Sequence, residues 1–355
     1  MAIRFEKVQN PGKCPENIGE IPFGSVFSDH MFICDYSPEK GWNDARIVPF
    51  GPFTISPASQ VLNYAPEIFE GMKAYRTEGG KIQLFRPEEN IKRMQRSAER
   101  LCLPQMDAEL FMEALREIVK IDQAWVPDGF GTSLYIRPIE FANDVHLGVK
   151  TPKNCIFTII TSPVGSYFKE GVNPVRMMIE PDDVRAVRGG TGYTKCGGTY
   201  ACSLRAGELA AQKGFAQVLW LDAIEKKYIE EGGGMNVMFK IDGKVITPML
   251  TGSILPGITR MSILEIMRSE GIPCEERLIS VDEIREAARA GKLEECFCCG
   301  TAAVVGPIGE LDLGDEKFLI NDFKTGPVAQ HLYDTLTGIQ WGKIEDKFGW
   351  TVPVC

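Results

Sequence analysis

The stretch Arg188-Gly-Gly-Thr-Gly-Tyr-Thr-Lys-Cys-Gly-Gly-Thr-Tyr200 places Lys195 among five glycines within a dozen residues. Glycines at this density hold a backbone in tight turns and leave space beside an amine. A Walker loop needs Gly before the lysine and Ser or Thr after it, whereas Thr194 and Cys196 stand in those places. A dinucleotide loop fails too, because Gly190-Thr191-Gly192 lacks the third glycine and Lys195 occupies its position. Taken alone, Lys195 reads equally well as a solvated loop lysine.

Outward along the chain, Ile229-Glu-Glu-Gly-Gly-Gly-Met-Asn236 puts two carboxylates before a glycine run, between two expected strands. A Schiff-base lysine together with a buried acid describes a pyridoxal 5′-phosphate site. The acid has a task there, since the cofactor draws electrons best when its pyridine nitrogen is protonated and a carboxylate stabilises that charge. Glu230 and Glu231 both suit it, and by themselves they read equally as a charged turn. The phosphate calls for an anion cup at a helix N-terminus, and Leu255-Pro-Gly-Ile-Thr259 before an expected helix has that form.

At these residues the chain resembles the branched-chain amino acid aminotransferases, pyridoxal phosphate enzymes of fold type IV. The resemblance covers almost the whole chain and rests also on Phe69-Glu-Gly-Met-Lys-Ala-Tyr75, Leu84-Phe-Arg-Pro87, Tyr135-Ile-Arg-Pro138 and Gly300-Thr-Ala302. It implies a two-domain α+β architecture, like that of D-amino acid aminotransferase, with the cofactor at the domain junction.

The resemblance also assigns roles. Lys195 matches the lysine that carries the cofactor and shuttles the proton at the substrate Cα, which requires a partly deprotonated amine. Glu231, four residues before Met235, matches the partner of the pyridine nitrogen, and Tyr200 the donor to the phenolic oxygen. Arg86 matches the phosphate arginine, Ile258, Thr259 and Thr301 further phosphate donors, and Arg185 an arginine near the phosphate; the shared chemistry is charge-assisted hydrogen bonding. For Arg185 a surface ion pair competes with that role. Phe23, Tyr64, Phe69, Tyr135 and Val149 fall where the family lines a pocket for Leu, Ile or Val, although each alone would read as core packing. Arg137 resembles the group that meets the side-chain carboxylate of glutamate, while Thr301, Ala302 and Tyr64 face the α-carboxylate.

The implied reaction is a ping-pong transamination of L-leucine, L-isoleucine and L-valine with 2-oxoglutarate, giving branched-chain 2-oxo acids and L-glutamate, as in branched-chain amino acid biosynthesis. Family members are homodimers, in which Tyr64 can reach the partner's site. Two departures stand out. Gly234 replaces a threonine common in relatives, so a roomier pocket is expected, and Ala303 and Gly306 stand where some members carry a redox Cys-x-x-Cys.

Composition narrows the field independently. The 355 residues include 39 basic and 48 acidic side chains for a net charge of −9, against a broad nucleic-acid face. No apolar run of about eighteen residues is present, and Met1 to Lys7 carries charge where a signal peptide would be apolar, so no membrane partner and a cytoplasmic location are expected. Eleven irregularly spaced cysteines suit reduced thiols. Cys296, Cys298 and Cys299 cluster without a second ligand pair, so no metal site is expected. With three histidines and no G-x-S-x-G sequence, a hydrolase triad has little to build on.

Periodicity places helices at Pro87 to Leu101, Asp107 to Lys120, Thr199 to Lys213, Thr259 to Ser269 and from a Ser280/Glu283 capping box to Gly291. Strands are expected at Ser133 to Pro138, Cys155 to Thr161, Val175 to Glu180, Gln217 to Asp222 and Met235 to Ile241, the last turning at Asp242-Gly243 into Val245 to Pro248. The turn-rich run after Ser162 gives a smaller domain over 1–163, a linker over 164–174 and a larger domain over 175–355 carrying the lysine. Other fold type IV activities, D-amino acid transamination and aminodeoxychorismate lysis, would share the lysine and the acid; Tyr135-Ile-Arg137 and the chain length favour the branched-chain class. A non-catalytic binding protein would leave the combined motifs unexplained.

Overall fold

The structure, a computed structural model, describes residues 1–165 and 172–355. They gather into two compact units: residues 1–165, Thr194–Gly197 and Gly338–Cys355 in the first, residues 172–193 and Gly198–Thr337 in the second. This differs from the division expected at 1–163 and 175–355. The lysine's own short stretch packs with the first unit, where the Lys195 N–H donates to Ser97 Oγ at 3.1 Å. The final strand, Thr351–Pro353, also belongs there, paired with Ile82–Phe85. Of the linker expected at 164–174, residues 166–171 lie outside the described residues, and Val164 ends a strand.

In the first unit a nine-stranded sheet runs in the order Arg4–Phe5, Gly41–Pro49, His30–Ser37, Cys155–Val164, Ser133–Ala142, Met72–Arg76, Ile82–Phe85, Thr351–Pro353, with Glu67–Phe69 also pairing Ser133–Ala142. Two helices supply its apolar cover. Pro87–Leu101 starts with proline at its first turn, where a missing N–H costs nothing, and Ala108–Ile121 starts after Asp107, whose carboxylate accepts the Leu110 N–H at 2.9 Å. Ile91, Met94, Ala98, Phe111 and Leu115 from these helices share a core with Leu134, Ile136 and Ala142 of the central strand. Side chains alternate along a strand, so Tyr135 and Arg137 project from the other face. The chemistry of the first unit collects on that face.

The second unit holds another nine-stranded sheet, ordered Ile229–Gly232, Gln217–Leu221, Val175–Ile179, Val304–Asp312, Leu293–Gly300, Asn236–Ile241, Lys244–Pro248, Cys274–Arg277, with Lys317–Leu319 also on Val304–Asp312. The hairpin at Asp242-Gly243 has φ of 51° and 79°, the left-handed pair that a two-residue turn demands. Two expectations need correction. The helix read across Thr199 to Lys213 is two, Gly197–Ala201 and Leu204–Gln212. Ser203 breaks it, its hydroxyl donating to the Tyr200 carbonyl at 2.7 Å in competition with the helical ladder. At the Val281–Arg289 helix, Ser280 Oγ accepts the Glu283 N–H at 3.1 Å, but the Glu283 carboxylate pairs with Arg277 rather than closing a capping box.

Cys296 and Cys298 face the second unit's core beside Val237 and Phe239, with Cys299 on the alternate side of the strand. Burial pushes all three thiols up, that of Cys299 to about 12, which makes them packing groups rather than reactive ones. Among the described residues no group of His, Cys, Asp and Glu could hold a metal ion, and no helix is long and apolar enough to cross a membrane.

Candidate active site

Lys195 is fixed by its main chain. Besides the bond from its N–H to Ser97, its carbonyl accepts the Phe69 N–H at 2.9 Å, and two residues on, the Gly197 N–H donates to the Glu67 carboxylate. A Cβ on Gly197 would stand 2.0 Å from Glu67 Oε1, so only glycine admits this contact. The Lys195 Nζ lies 4.9 Å from the Phe69 ring centroid, and desolvation, seconded by the Arg93 charge, pushes the amine down to about 8. Near that pH about half of it is neutral and nucleophilic.

Around the amine stand several of the expected pocket residues. The Arg137 guanidinium lies 4.7 Å from the Phe69 centroid and donates to the Tyr135 hydroxyl at 3.0 Å. Its Nε is buried without a hydrogen-bond partner, a donor left for a guest. Phe23 packs edge-on against Tyr135 with centroids 4.9 Å apart. A Cβ on Gly71 would come within 2.1 Å of the Tyr135 hydroxyl, which explains that glycine in the Phe69 to Tyr75 segment. Arg86 is buried with its guanidinium 4.7 Å over Trp350, and its backbone holds φ 49° at the helix start. Strain of this kind in a non-glycine residue concentrates at functional sites.

Tyr64 and Val149 lie elsewhere on the first unit. Both are exposed, and the Tyr64 hydroxyl donates to the Leu147 carbonyl, tying the Gln60–Tyr64 helix to the segment at 145–149.

In the second unit Glu230 and Glu231 are both buried on the Ile229–Gly232 strand, not in a charged turn. Their alternation decides their partners. Glu231 Oε1 accepts the Leu255 N–H at 2.9 Å and Asn236 Nδ2 at 3.2 Å, while Oε2 lies 2.9 Å from Arg185 Nε. Glu230 takes the Ser253 hydroxyl, and burial raises its carboxyl. Arg185 thus belongs to a buried ion pair, and it also donates to the Gly192 and Ser253 carbonyls. The surface ion pair that competed for this residue does not describe it.

Ile258 and Thr259 open the Ile258–Glu270 helix, whose N-terminus no side chain caps, so its first N–H groups are placed for an anion. Thr301 and Ala302 form the turn between Leu293–Gly300 and Val304–Asp312, where Val304 sits at φ 62°, a region β-branched residues avoid. Beside Tyr200, a Cβ on Gly234 would be 3.9 Å from the ring, so the missing side chain leaves space there.

The sequence reading passed over Glu67, Glu70, Asn90, Arg93 and Ser97. A signal existed, because Asn90, Arg93 and Ser97 share one stripe of the Pro87–Leu101 helix next to Ile91 and Met94, where solvent-facing polar groups are not expected.

A family model described as amino-transferase class IV matches residues 67–311. The chain is 52% identical to branched-chain-amino-acid aminotransferase 2 of Bacillus subtilis (strain 168) over 352 residues, 99% of this chain and 97% of that one. Its fold matches the crystal structure of the Escherichia coli branched-chain amino acid aminotransferase with a TM-score of 0.78 at 28% identity, covering 92% and 99% of the two chains. It also matches a further solved branched-chain amino acid aminotransferase, complexed with N-(5′-phosphopyridoxyl)-L-glutamate, with a TM-score of 0.74, 26% identity and 91% and 98% coverage. On these matches, which span the half-buried Lys195 and the buried Glu231, the chain belongs to the class IV aminotransferases, among the branched-chain amino acid aminotransferases.

Proposed function

We propose that the protein exchanges amino groups between L-leucine, L-isoleucine or L-valine and 2-oxoglutarate, with pyridoxal 5′-phosphate carried by Lys195. The observation that carries this reading is the Lys195 amine, held through its main chain and brought to about 8 beside Phe69, Tyr135 and Arg137. When bound, the cofactor supplies the electron sink that stabilises negative charge at the substrate Cα. The protein's own groups do the rest. Lys195 moves the proton at Cα, and Glu231 stabilises positive charge at the pyridine nitrogen while Tyr200 meets the phenolic oxygen. Arg86, Arg185, Thr301 and the N–H groups of Ile258 and Thr259 answer the phosphate, with Arg185 acting from its pairing with Glu231.

Phe23, Phe69 and Tyr135 give a branched aliphatic side chain an aromatic wall, to which Tyr64 and Val149 add from the second copy of a dimer. The unpartnered Nε of Arg137 suits the second carboxylate of glutamate, in keeping with the relative whose structure is complexed with phosphopyridoxyl-glutamate. Replacing Arg137 by Leu is accordingly expected to lower kcat/KM for 2-oxoglutarate about a hundredfold while that for leucine changes only a few-fold, because only one substrate loses a buried charge partner. Single-turnover rates for each half-reaction measure the split; equal losses for both substrates would remove Arg137 from this role.

Two copies are proposed to associate through the face that carries Leu62, Tyr64, Val145, Leu147 and Val149, all exposed on one chain. An apolar patch of this kind on the surface marks an association site.

The deciding experiment follows the visible absorbance of the purified protein as L-leucine, D-alanine or 4-amino-4-deoxychorismate is added. Bleaching by L-leucine alone is expected. A colourless protein would sink the cofactor reading, and a response to D-alanine in place of L-leucine would move the enzyme to another fold type IV activity.

A further inference from the structure

Beneath the lysine lies a buried polar cluster. Glu70, fully buried, receives Arg93 through two bonds, Nε to Oε1 at 2.7 Å and Nη2 to Oε2 at 2.8 Å. Asn90 donates to Glu70 Oε2 at 2.7 Å, and the Gly71 N–H to the same oxygen at 3.1 Å. Ser97, one turn past Arg93, holds the Lys195 N–H, while Phe69, next to Glu70 in the chain, holds the Lys195 carbonyl. Asn90, Arg93 and Ser97 are respectively 2%, 3% and 1% exposed. One stripe of the Pro87–Leu101 helix therefore grips the turn before Met72 and the main chain of the lysine at once.

A buried ion pair is costly to desolvate, and apolar residues of similar volume serve a core as well or better. This one sits where its two charges act on the Lys195 amine with opposite sign, Arg93 disfavouring the ammonium and Glu70 favouring it. We propose that Glu70 and Arg93 are positioning residues that set the protonation of the Lys195 nitrogen, Arg93 holding it down and Glu70 limiting the effect, while Ser97 fixes the lysine's place. The inference rests on the function proposed above. Among the described residues, the other charged or titratable groups near the amine include Tyr135 and Arg137 on the Ser133–Ala142 strand, Lys73 opposite Tyr135, and Glu67 at the Gly197 N–H. All of these stay constant in the test.

The test titrates the visible absorbance of the purified holoenzyme with pH, which reads protonation at the Lys195 nitrogen rather than turnover. Arg93→Gln removes the positive charge and is expected to raise the midpoint by about one unit, whereas Glu70→Gln removes the negative charge and lowers it by a similar amount. The double variant Glu70→Gln/Arg93→Gln leaves the net charge unchanged and returns the midpoint near that of the wild type, as does Arg93→Lys. Loosened packing alone would move both single variants the same way. Midpoints that shift together, or do not shift, overturn the proposal. Glu70→Gln is nearly isosteric and keeps an oxygen for Asn90, so its downward shift decides the matter if Arg93→Gln does not fold. A colourless wild-type protein would instead remove the cofactor reading, and this inference with it.

Discussion

Lys195→Ala is expected to keep the fold and to lose transamination by about 10⁴-fold or more, since the step that needs a covalent amine and a proton carrier at Cα disappears. The structure explains why the fold survives. Two main-chain bonds at position 195 run from its N–H to Ser97 and from Phe69 to its carbonyl, and alanine retains both. Circular dichroism and thermal melting should match the wild type while single-turnover rates collapse. A variant that melts normally and still turns over leucine would assign the chemistry to another lysine.

Glu231→Gln is the second large effect, and it should fall on turnover and stability together. Loss of the carboxylate takes away the charge proposed to stabilise a protonated pyridine nitrogen, which by comparison with other preorganised electrostatic groups costs about 10²–10³ in kcat. It also leaves Arg185 buried with its ion-pair partner gone, a change worth about 3–5 kcal/mol when one member of a buried pair is removed. The two consequences can be separated. In Glu231→Gln/Arg185→Met the buried cation is gone as well, so thermal stability should recover in large part, while kcat should stay about 10²-fold below that of Arg185→Met alone, the reference that absorbs the loss of Arg185 at the phosphate. If turnover returned along with stability, Glu231 would be a structural residue and the pyridine nitrogen would need a different partner.

How much of this could be read from the sequence follows from how local each feature is. Pro87–Leu101 was legible to the residue because its start, its apolar stripe and its end are written within fifteen positions. The Asp242-Gly243 turn was legible for the same reason, two residues sufficing to specify its backbone. Where local signals compete, reading failed: Thr199 to Lys213 has helical composition throughout, and only the Ser203 hydroxyl, which competes for the Tyr200 carbonyl, divides it. The Glu283 carboxylate likewise had two uses, a capping box or an ion pair, and Arg277 six residues earlier took it. The candidate site was legible through its motifs, yet its supports were not. Ser97 reaches Lys195 across 98 positions, and Glu67 reaches Gly197 across 130, distances over which spacing carries no information. Arg185 shows the remaining limit, since a lone arginine in a sequence does not announce that its partner will be the acid 46 residues on.

The strand Thr351–Pro353 closes the edge of the first unit's sheet on Ile82–Phe85, with bonds from Val354 to Ile82 and from Ile82 to Cys355. During synthesis the ribosome delivers the chain in order, so that edge stays open until residues past 350 have left the exit tunnel. The unit that begins first is therefore finished last. Meanwhile its unpaired Ile82–Phe85 edge is a surface on which nascent chains on neighbouring ribosomes can pair wrongly, and loss of the Thr351–Pro353 strand would make that hazard permanent.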